Sequence, residues 1–514
     1  LVQSRTLQGV DWITIFLGFI LLIFGIMNVY SVQHDLGMKQ MLWAGLGMVM
    51  IFGLMVISNN NRNFFETNSV VIYAISILLL AGVLVVGKEI NGAKAWYRIG
   101  SLSLQPAEFA KISTALLIAN LLNHSNSHLR DLKTLGQILL IMLIPISLIM
   151  LQPDLGSVII FCSFCIPLYR EGLNPVLIFI PIIGLVLFLI SIVQIPFYVL
   201  LIFGFIILFI VLLINAFYYS HDIEEWVYGV MIGLCFFFIL IIVSSYLVSN
   251  LSEETRESFG HLYPSRSLFF SDPIRFNVNL FGFLGILLSA TPVILYKIDK
   301  RKEVMNSPFK INSGFKTDIL TTSAIISTIA LLFVMTLSFI SPIVFEKLPK
   351  HQKERVMVLY EGEGKYRDTS GYNLLYAKTA IGSGELTGKG YLQGTVKQGR
   401  FVPEQQTDYI FATVGEEWGF LGSVGVVILY ALFIARIYYL AESHTNVFVR
   451  FYGYSVASIL FFHFFINIAM VMGLFPTVGI PLPFFSYGGS SLWGFTILIG
   501  IFLIIHYQHK QSLL

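Results

Sequence analysis

Residues 11–31 read DWITIFLGFILLIFGIMNVYS, an apolar run whose single charge, Asp11, stands at its edge. The hydrocarbon core of a bilayer takes about 20 apolar residues of helix, and this run is apolar on every face rather than along one stripe. It reads as a membrane span, and it is too long for the core of a cleavable leader, so the helix is expected to be retained. The same ruler finds spans at 38–57, 69–87, 106–123, 135–151, 155–169, 174–193, 196–219, 226–249, 280–297, 319–345, 420–440, 449–474 and 487–508. Pro106, Pro145 and Pro292 do not argue against this, because neighbouring helices re-satisfy the backbone groups that proline frees. The expected fold is an all-α polytopic membrane bundle of about fourteen helices.

Composition agrees with that reading. Of 514 residues, 56% are hydrophobic and 12% charged, and the mean hydropathy is +0.79. A soluble domain carries about 25% charged residues, so a water-soluble enzyme is excluded. The net charge of +3 forms no basic stripe, so no nucleic acid partner is expected. Cys162, Cys165 and Cys235 lie in apolar stretches without polar ligands beside them and read as packing residues.

Short loops carrying Lys and Arg set the orientation. Arg62, Arg130 with Lys133, Arg170, the Lys297–Lys316 loop, Arg436 with Arg450, and Lys510 fall on one side if the helices alternate, which places that side and both termini in the cytoplasm. The loop 88–105 breaks the rule with Lys88, Lys94 and Arg98 outside, so these charges are expected to be needed there. Between 346 and 419 the chain holds ten Lys/Arg and ten Asp/Glu in 74 residues, and a long loop of this kind is usually functional. The organisation is then an N-terminal membrane part (1–195), an inserted membrane region (196–316), a helix (317–345), a long external loop (346–419) and C-terminal helices (420–514). The inserted region carries no motif with assignable chemistry, and no internal repeat supports an inverted-repeat transporter.

Four stretches carry chemistry. In Lys94-Ala-Trp-Tyr-Arg98-Ile-Gly100 and Gln105-Pro-Ala-Glu108-Phe-Ala-Lys111, Glu108 and Lys111 stand at i, i+3 and can pair. Ionisable groups in a membrane helix face a bundle interior or a watery cavity, so the pair either pins packing or floors a polar cavity. Gln152-Pro-Asp154-Leu-Gly156-Ser157 is a turn in which Asp154 is expected to cap the next helix. In the long loop, Arg367-Asp368-Thr-Ser-Gly371-Tyr372, Lys378, Gly382-Ser-Gly384, Gly388-Lys389-Gly390 and Phe401-Val-Pro-Glu404-Gln-Gln-Thr407-Asp408 mix glycines with cations. That mixture suits a diphosphate, although a solvated charged face is the plainer reading. Pro476-Thr-Val-Gly479-Ile-Pro481-Leu-Pro483-Phe-Phe-Ser486-Tyr-Gly488-Gly489-Ser490-Ser491 cannot continue a helix. Such backbone is tolerated at membrane depth only where it is buried in protein or lines a cavity, so its serines are expected near a head-group site, with a re-entrant turn as the alternative.

Together and in this order, the four stretches resemble the SEDS family of bacterial cell-wall proteins over about 1–195 and 317–510, and its rod-shape elongation branch more than its division branch. The region 196–316 exceeds the family's ten-helix core and resembles the expanded elongation proteins of the Bacteroidetes group. The resemblance implies a peptidoglycan glycosyltransferase of the inner membrane that polymerises lipid II. Its implied partners are a class B penicillin-binding protein as transpeptidase, the other membrane proteins of the elongation complex, and membrane lipids. The 4-hydroxyl of one lipid-linked disaccharide would attack the anomeric carbon of another, with undecaprenyl diphosphate leaving. The family's essential aspartate precedes a Gly-Tyr pair in the long loop, which falls here on Asp368 as general base, expected to be partly buried among the loop's cations. The shortened Asp-Thr-Ser-Gly-Tyr spacing keeps Glu363 as the alternative. Lys94, Arg98, Lys378, Lys389 and Arg400 are then expected at the diphosphate, with a divalent cation, Mg2+ or Mn2+, as helper but no protein metal cluster. Glu108, Lys111, Glu404, Thr407 and Asp408 would shape the cavity beneath, with Ser486 and Ser490 beside the head group. A lipid II flippase, an inactive scaffold and a division-type homologue are the alternatives. Ionisable groups at mid-membrane would favour a transporter, whereas this chain concentrates them in one external loop.

Overall fold

The computed structural model describes residues 10–173, 350–395 and 405–513, except for positions 60, 62, 91, 92, 101, 125–128, 130 and 370, together with Phe345 and Lys347. The chain divides into two compact units, Leu1–Ile178 with Glu354–Leu514, and Phe179–Lys353. Almost all of the second lies outside the described residues, as do the expected spans from 174 to 345, the inserted region 196–316, the helix 317–345, Cys235, Arg130, Arg400 and Glu404.

In the first unit each expected span within the described residues is helical. They are α1 (Trp12–Val32), α2 (His34–Asn59), the short α3 (Phe64–Thr67), α4 (Ser69–Val86), α5 (Pro106–His124) and α6 (Leu132–Met150). A 3-10 turn, Cys162–Phe164, links α7 (Leu155–Phe161) to α8 (Cys165–Arg170). After α9 (Lys350–Glu361) and α10 (Tyr372–Ser383) come α11 (Ile410–Glu442), α12 (Val447–Val471) and α13 (Gly489–Leu513). Among the described residues seven helices are long and apolar enough to cross a membrane. This is a multi-pass membrane protein.

The bundle is concentric. α12 and α13 bury 67% and 78% of their apolar windows, against 17% for α2 and 28% for α1, so α12 and α13 form the centre. Around them the outer helices turn Phe16, Leu42, Phe52, Leu78 and Val85 outward, as lipid-facing side chains must. Inside, Phe451, Tyr452, Val456, Ile459 and Phe502 are fully enclosed.

Two stretches differ from the sequence expectation. The cationic loop 88–105 is an antiparallel sheet in the order β1-β2-β3: β1 (Lys88–Ile90), β2 (Ala93–Ile99) and β3 (Leu102–Leu104). The loop 346–419 is built on α9 and α10, and its end belongs to α11, which starts ten residues before the expected 420. The early start puts the carboxylates of Glu416 and Glu417 inside the bundle, where they need partners.

Candidate functional site

The sheet, the 151–154 turn, the link between α1 and α2, the start of α11 and the non-helical segment 474–488 gather at one end of the bundle. Arg170–Glu442, Arg450–Glu171 and Arg436–Asp11 ion pairs mark the other end.

The segment 474–488 holds its backbone by side chains rather than by a ladder. Asn467 of α12 donates to the carbonyls of Ile480 (2.8 Å) and Asp408 (2.9 Å). His463, one turn earlier, lies 3.2 Å from the Pro481 carbonyl. Ser486 Oγ accepts from Leu482 N (2.8 Å) and donates to the Thr407 carbonyl (2.5 Å), while Tyr430 donates to that of Pro483. Gln40 of α2 donates to the Ser486 carbonyl (3.0 Å), and Tyr487 N donates to that of Gln406 (2.8 Å). Irregular backbone is thereby satisfied where water is scarce, and the segment is stitched to residues 406–408. Asp408 turns its carboxylate toward Gly479.

Gln105 ties in the remaining motifs. Its amide donates to Ser490 Oγ (2.8 Å) and its side chain to Asp154 Oδ2 (2.8 Å). Asp154 also accepts from Ser157 N (3.0 Å), which makes it the cap of α7. Ser486 and Ser490 are therefore buried and spend their hydroxyls on holding this backbone. Beneath, Lys111 Nζ meets Glu108 Oε1 at 2.8 Å and His463 Nε2 at 2.8 Å. Both members of the ion pair are enclosed, with side-chain exposures of 3% and 4%. Gly494 of α13 packs against this pair: a Cβ there would stand 3.0 Å from Glu108 Cβ and 3.1 Å from its Oε2, tighter than ordinary contact.

On β2 the period of two puts Lys94, Trp96 and Arg98 on one face. Ala95 and Tyr97 take the other, where the Tyr97 hydroxyl donates to the Leu79 carbonyl (2.9 Å). Arg98 is exposed, and Lys94 Nζ donates to the Val85 carbonyl (3.1 Å).

Between α9 and α10 the chain makes a tight turn, closed by Thr369 N and Gly371 N donating to the Tyr366 carbonyl, both at 3.0 Å. Asp368 projects from this turn and is exposed, not partly buried, because the closed turn leaves its side chain on the outside. Glu363 is committed elsewhere. A hydrogen bond from its own backbone, with the Lys378 ammonium 3.2 Å away, holds its carboxyl below the usual range against partial burial.

The glycine-rich stretch after α10 clasps the start of α11. At Gly419 (φ 64°) the helix breaks. The groups freed there find partners in 385–390: Phe420 N donates to the Glu385 carbonyl (2.9 Å), Leu421 N to that of Leu386 (3.1 Å), and Lys389 N and Gly390 N to those of Glu416 and Glu417 (both 3.0 Å). The Lys389 ammonium lies 2.8 Å from the fully enclosed Glu416 carboxylate, which also accepts from Thr395 N (2.8 Å). Ser31 of α1 donates to Glu417. The structure thus engages Lys378 and Lys389, expected at a diphosphate, in internal ion pairs, and leaves Arg98 turned outward.

A family model described as a cell cycle protein model, for FtsW, RodA and SpoVE, matches residues 6–206 and 313–511. The chain belongs to the FtsW/RodA/SpoVE family. Among family members, the peptidoglycan glycosyltransferase RodA of Treponema pallidum is 28% identical over 470 residues, 91% of this chain and 89% of that one. The peptidoglycan glycosyltransferase MrdB of Escherichia coli is 42% identical over 161 residues, 31% of this chain and 43% of that one. The fold is also that of a chain from a peptidoglycan synthase complex whose structure concerns coordination of polymerization and crosslinking (TM-score 0.55, 22% identity, 98% of this chain and 99% of that one).

In this FtsW/RodA/SpoVE chain, sequence reasoning passed over Gln40, Tyr430, His463 and Asn467. The last two had a signal: polar residues at i, i+4 on an otherwise apolar helix share a face and rarely stand in a bilayer without a task.

Proposed function

We propose that this chain is a peptidoglycan glycosyltransferase that polymerises lipid II at the outer face of the bacterial inner membrane, with both termini cytoplasmic. The observation that carries the reading is the likeness to the Treponema pallidum glycosyltransferase along 91% of the chain. The clustering of Arg170, Arg436 and Arg450 at the end opposite the sheet supports the orientation.

The reaction needs a base for the attacking hydroxyl and cations for the departing diphosphate. Asp368 is the better base. Its carboxylate stands in the open on a closed turn, whereas Glu363 is engaged by Lys378 and made less basic by the interactions that lower its pKa. Lys94 and Arg98 share one face of β2, which supports them as cations for a diphosphate at the membrane surface. Lys378, Lys389, Glu108, Lys111, Thr407, Asp408, Ser486 and Ser490 hold the surrounding framework through the bonds above. Among the described residues no group of three or more His, Cys, Asp or Glu stands ready for a metal. A divalent cation would accordingly take one or two carboxylates here and its other oxygens from phosphate and water, supplying charge neutralisation at the leaving group.

The transpeptidase partner is proposed as a class B penicillin-binding protein, since the chain of like fold comes from a complex that couples polymerization to crosslinking. Proteoliposomes containing the full chain, given lipid II in the outward leaflet only, decide between polymerisation and transport. Glycan without lipid movement is the expected result. Lipid II in the opposite leaflet with no glycan would make the chain a flippase.

A further inference from the structure

Within the bundle, His463 joins α5, α12 and the non-helical segment 474–488. It sits on α12, enclosed at 2% exposure. Its Nε2 is 2.8 Å from the Lys111 ammonium of α5 and its Nδ1 is 3.2 Å from the Pro481 carbonyl in the non-helical segment. An ammonium can only donate and a carbonyl can only accept, so the two contacts fix one arrangement. Nε2 accepts from Lys111, Nδ1–H donates to Pro481, and the ring is neutral. Phe495 of α13 holds the ring edge to face at 4.8 Å and also lies under the Lys111 ammonium at 5.7 Å. Among the described residues, the imidazole is the hydrogen-bond partner of the Pro481 carbonyl. One turn on, Asn467 takes the Ile480 carbonyl and the Asp408 carbonyl together.

We infer that His463 is a positioning residue for polymerisation: it transmits the placement of the Glu108–Lys111 pair to the Pro481 carbonyl and so sets residues 479–483 against Asp408 at the site's end of the bundle. It touches no substrate. This inference rests on the proposed glycosyltransferase reading. Because His463 acts on alignment and not on ground-state contacts, its loss lowers kcat and leaves KM in place; a misplacement of about 1 Å costs on the order of 100-fold in rate.

Two replacements separate the bonds from the shape. Gln in H463Q can accept from Lys111 and donate to Pro481; Phe in H463F keeps a ring against Phe495 and can do neither. The full chain is reconstituted with its transpeptidase partner. Polymerisation of labelled lipid II gives kcat and KM, and hydrogen exchange of the 479–488 amides gives the segment's order without reference to activity. Expected for H463F is a kcat fall of about 10- to 100-fold, KM within about twofold of the parent, and exchange at 482–487 faster by about tenfold, a loss near one hydrogen bond's worth. H463Q stays within about threefold of the parent in both readouts, since it keeps both bonds. Equal impairment of the two variants, or parental kcat and exchange in H463F, overturns the inference. A parent chain that makes no glycan while H463F still speeds exchange and H463Q does not would sink the glycosyltransferase reading and leave the connection standing.

Discussion

Replacing Lys389 by Met tests whether the glycine-rich stretch is a clasp or a phosphate loop. The Glu416 carboxylate is fully enclosed and lies 2.8 Å from the Lys389 ammonium, 2.8 Å from Thr395 N and 3.0 Å from Thr395 Oγ1. Lys389 is itself 25% exposed, so the pair is shielded enough for removal of one partner to matter. Breaking a buried pair from one side costs about 3–5 kcal/mol, because the charge left behind has no compensation. For K389M the lower end, about 3 kcal/mol, is expected, since two Thr395 donors remain. The double variant K389M/E416Q removes the buried charge as well and should recover most of that loss, as buried pairs replaced on both sides often cost little. Unfolding in mixed micelles, followed by the fluorescence of Trp418, which packs on Phe24 with ring centres 5.0 Å apart beside the clasp, measures both. A K389M chain as stable as the parent, or a double variant whose losses simply add, refutes the clasp. If stability holds and only lipid II turnover falls, Lys389 serves the diphosphate after all.

Gly494→Ala should push Glu108 off Lys111, with about 1–3 kcal/mol of overpacking cost, and the same unfolding assay should show it. Asp154→Ala should lose about 1 kcal/mol as the α7 cap disappears and Gln105 loses its acceptor, whereas Asp154→Asn should lose less. His444, between α11 and α12, has its pKa lowered to about 4 by burial and by the neighbouring His506, His509 and Lys510. The unfolded chain then binds the extra proton first, so stability is intact above about 6.5 and falls toward pH 4 by at most about 1.4 kcal/mol per unit. A His444→Asn chain should show a shallower acid limb in a pH series of unfolding midpoints, and an unchanged limb would remove His444 as its source.

The spans were legible because bilayer thickness fixes their length, so a count of apolar residues suffices. Local devices were legible too: the Asp154 cap lies within three residues of its donor, and Glu108–Lys111 follows from helical spacing. What escaped depended on distant partners. The bond of His463 to Lys111 spans 352 positions, and the early start of α11 needs Ser31 and Lys389 to make Glu416 and Glu417 tolerable inside. The cations of 88–105 were noticed, but the sheet was not, because its strands are three and seven residues long and carry little periodicity. Lys389 and Lys378 were read by residue type as phosphate ligands. The carboxylates that engage them lie 27 and 15 positions away, beyond any local pattern.

In the function proposed above, this chain builds glycan with Asp368 as the base. The direct measurement is glycan yield from labelled lipid II for the parent, Asp368→Asn and Glu363→Gln chains, each reconstituted at matched amount with the transpeptidase partner. Polymer is expected from the parent and from Glu363→Gln, and none from Asp368→Asn. Full polymer yield from Asp368→Asn would contradict it.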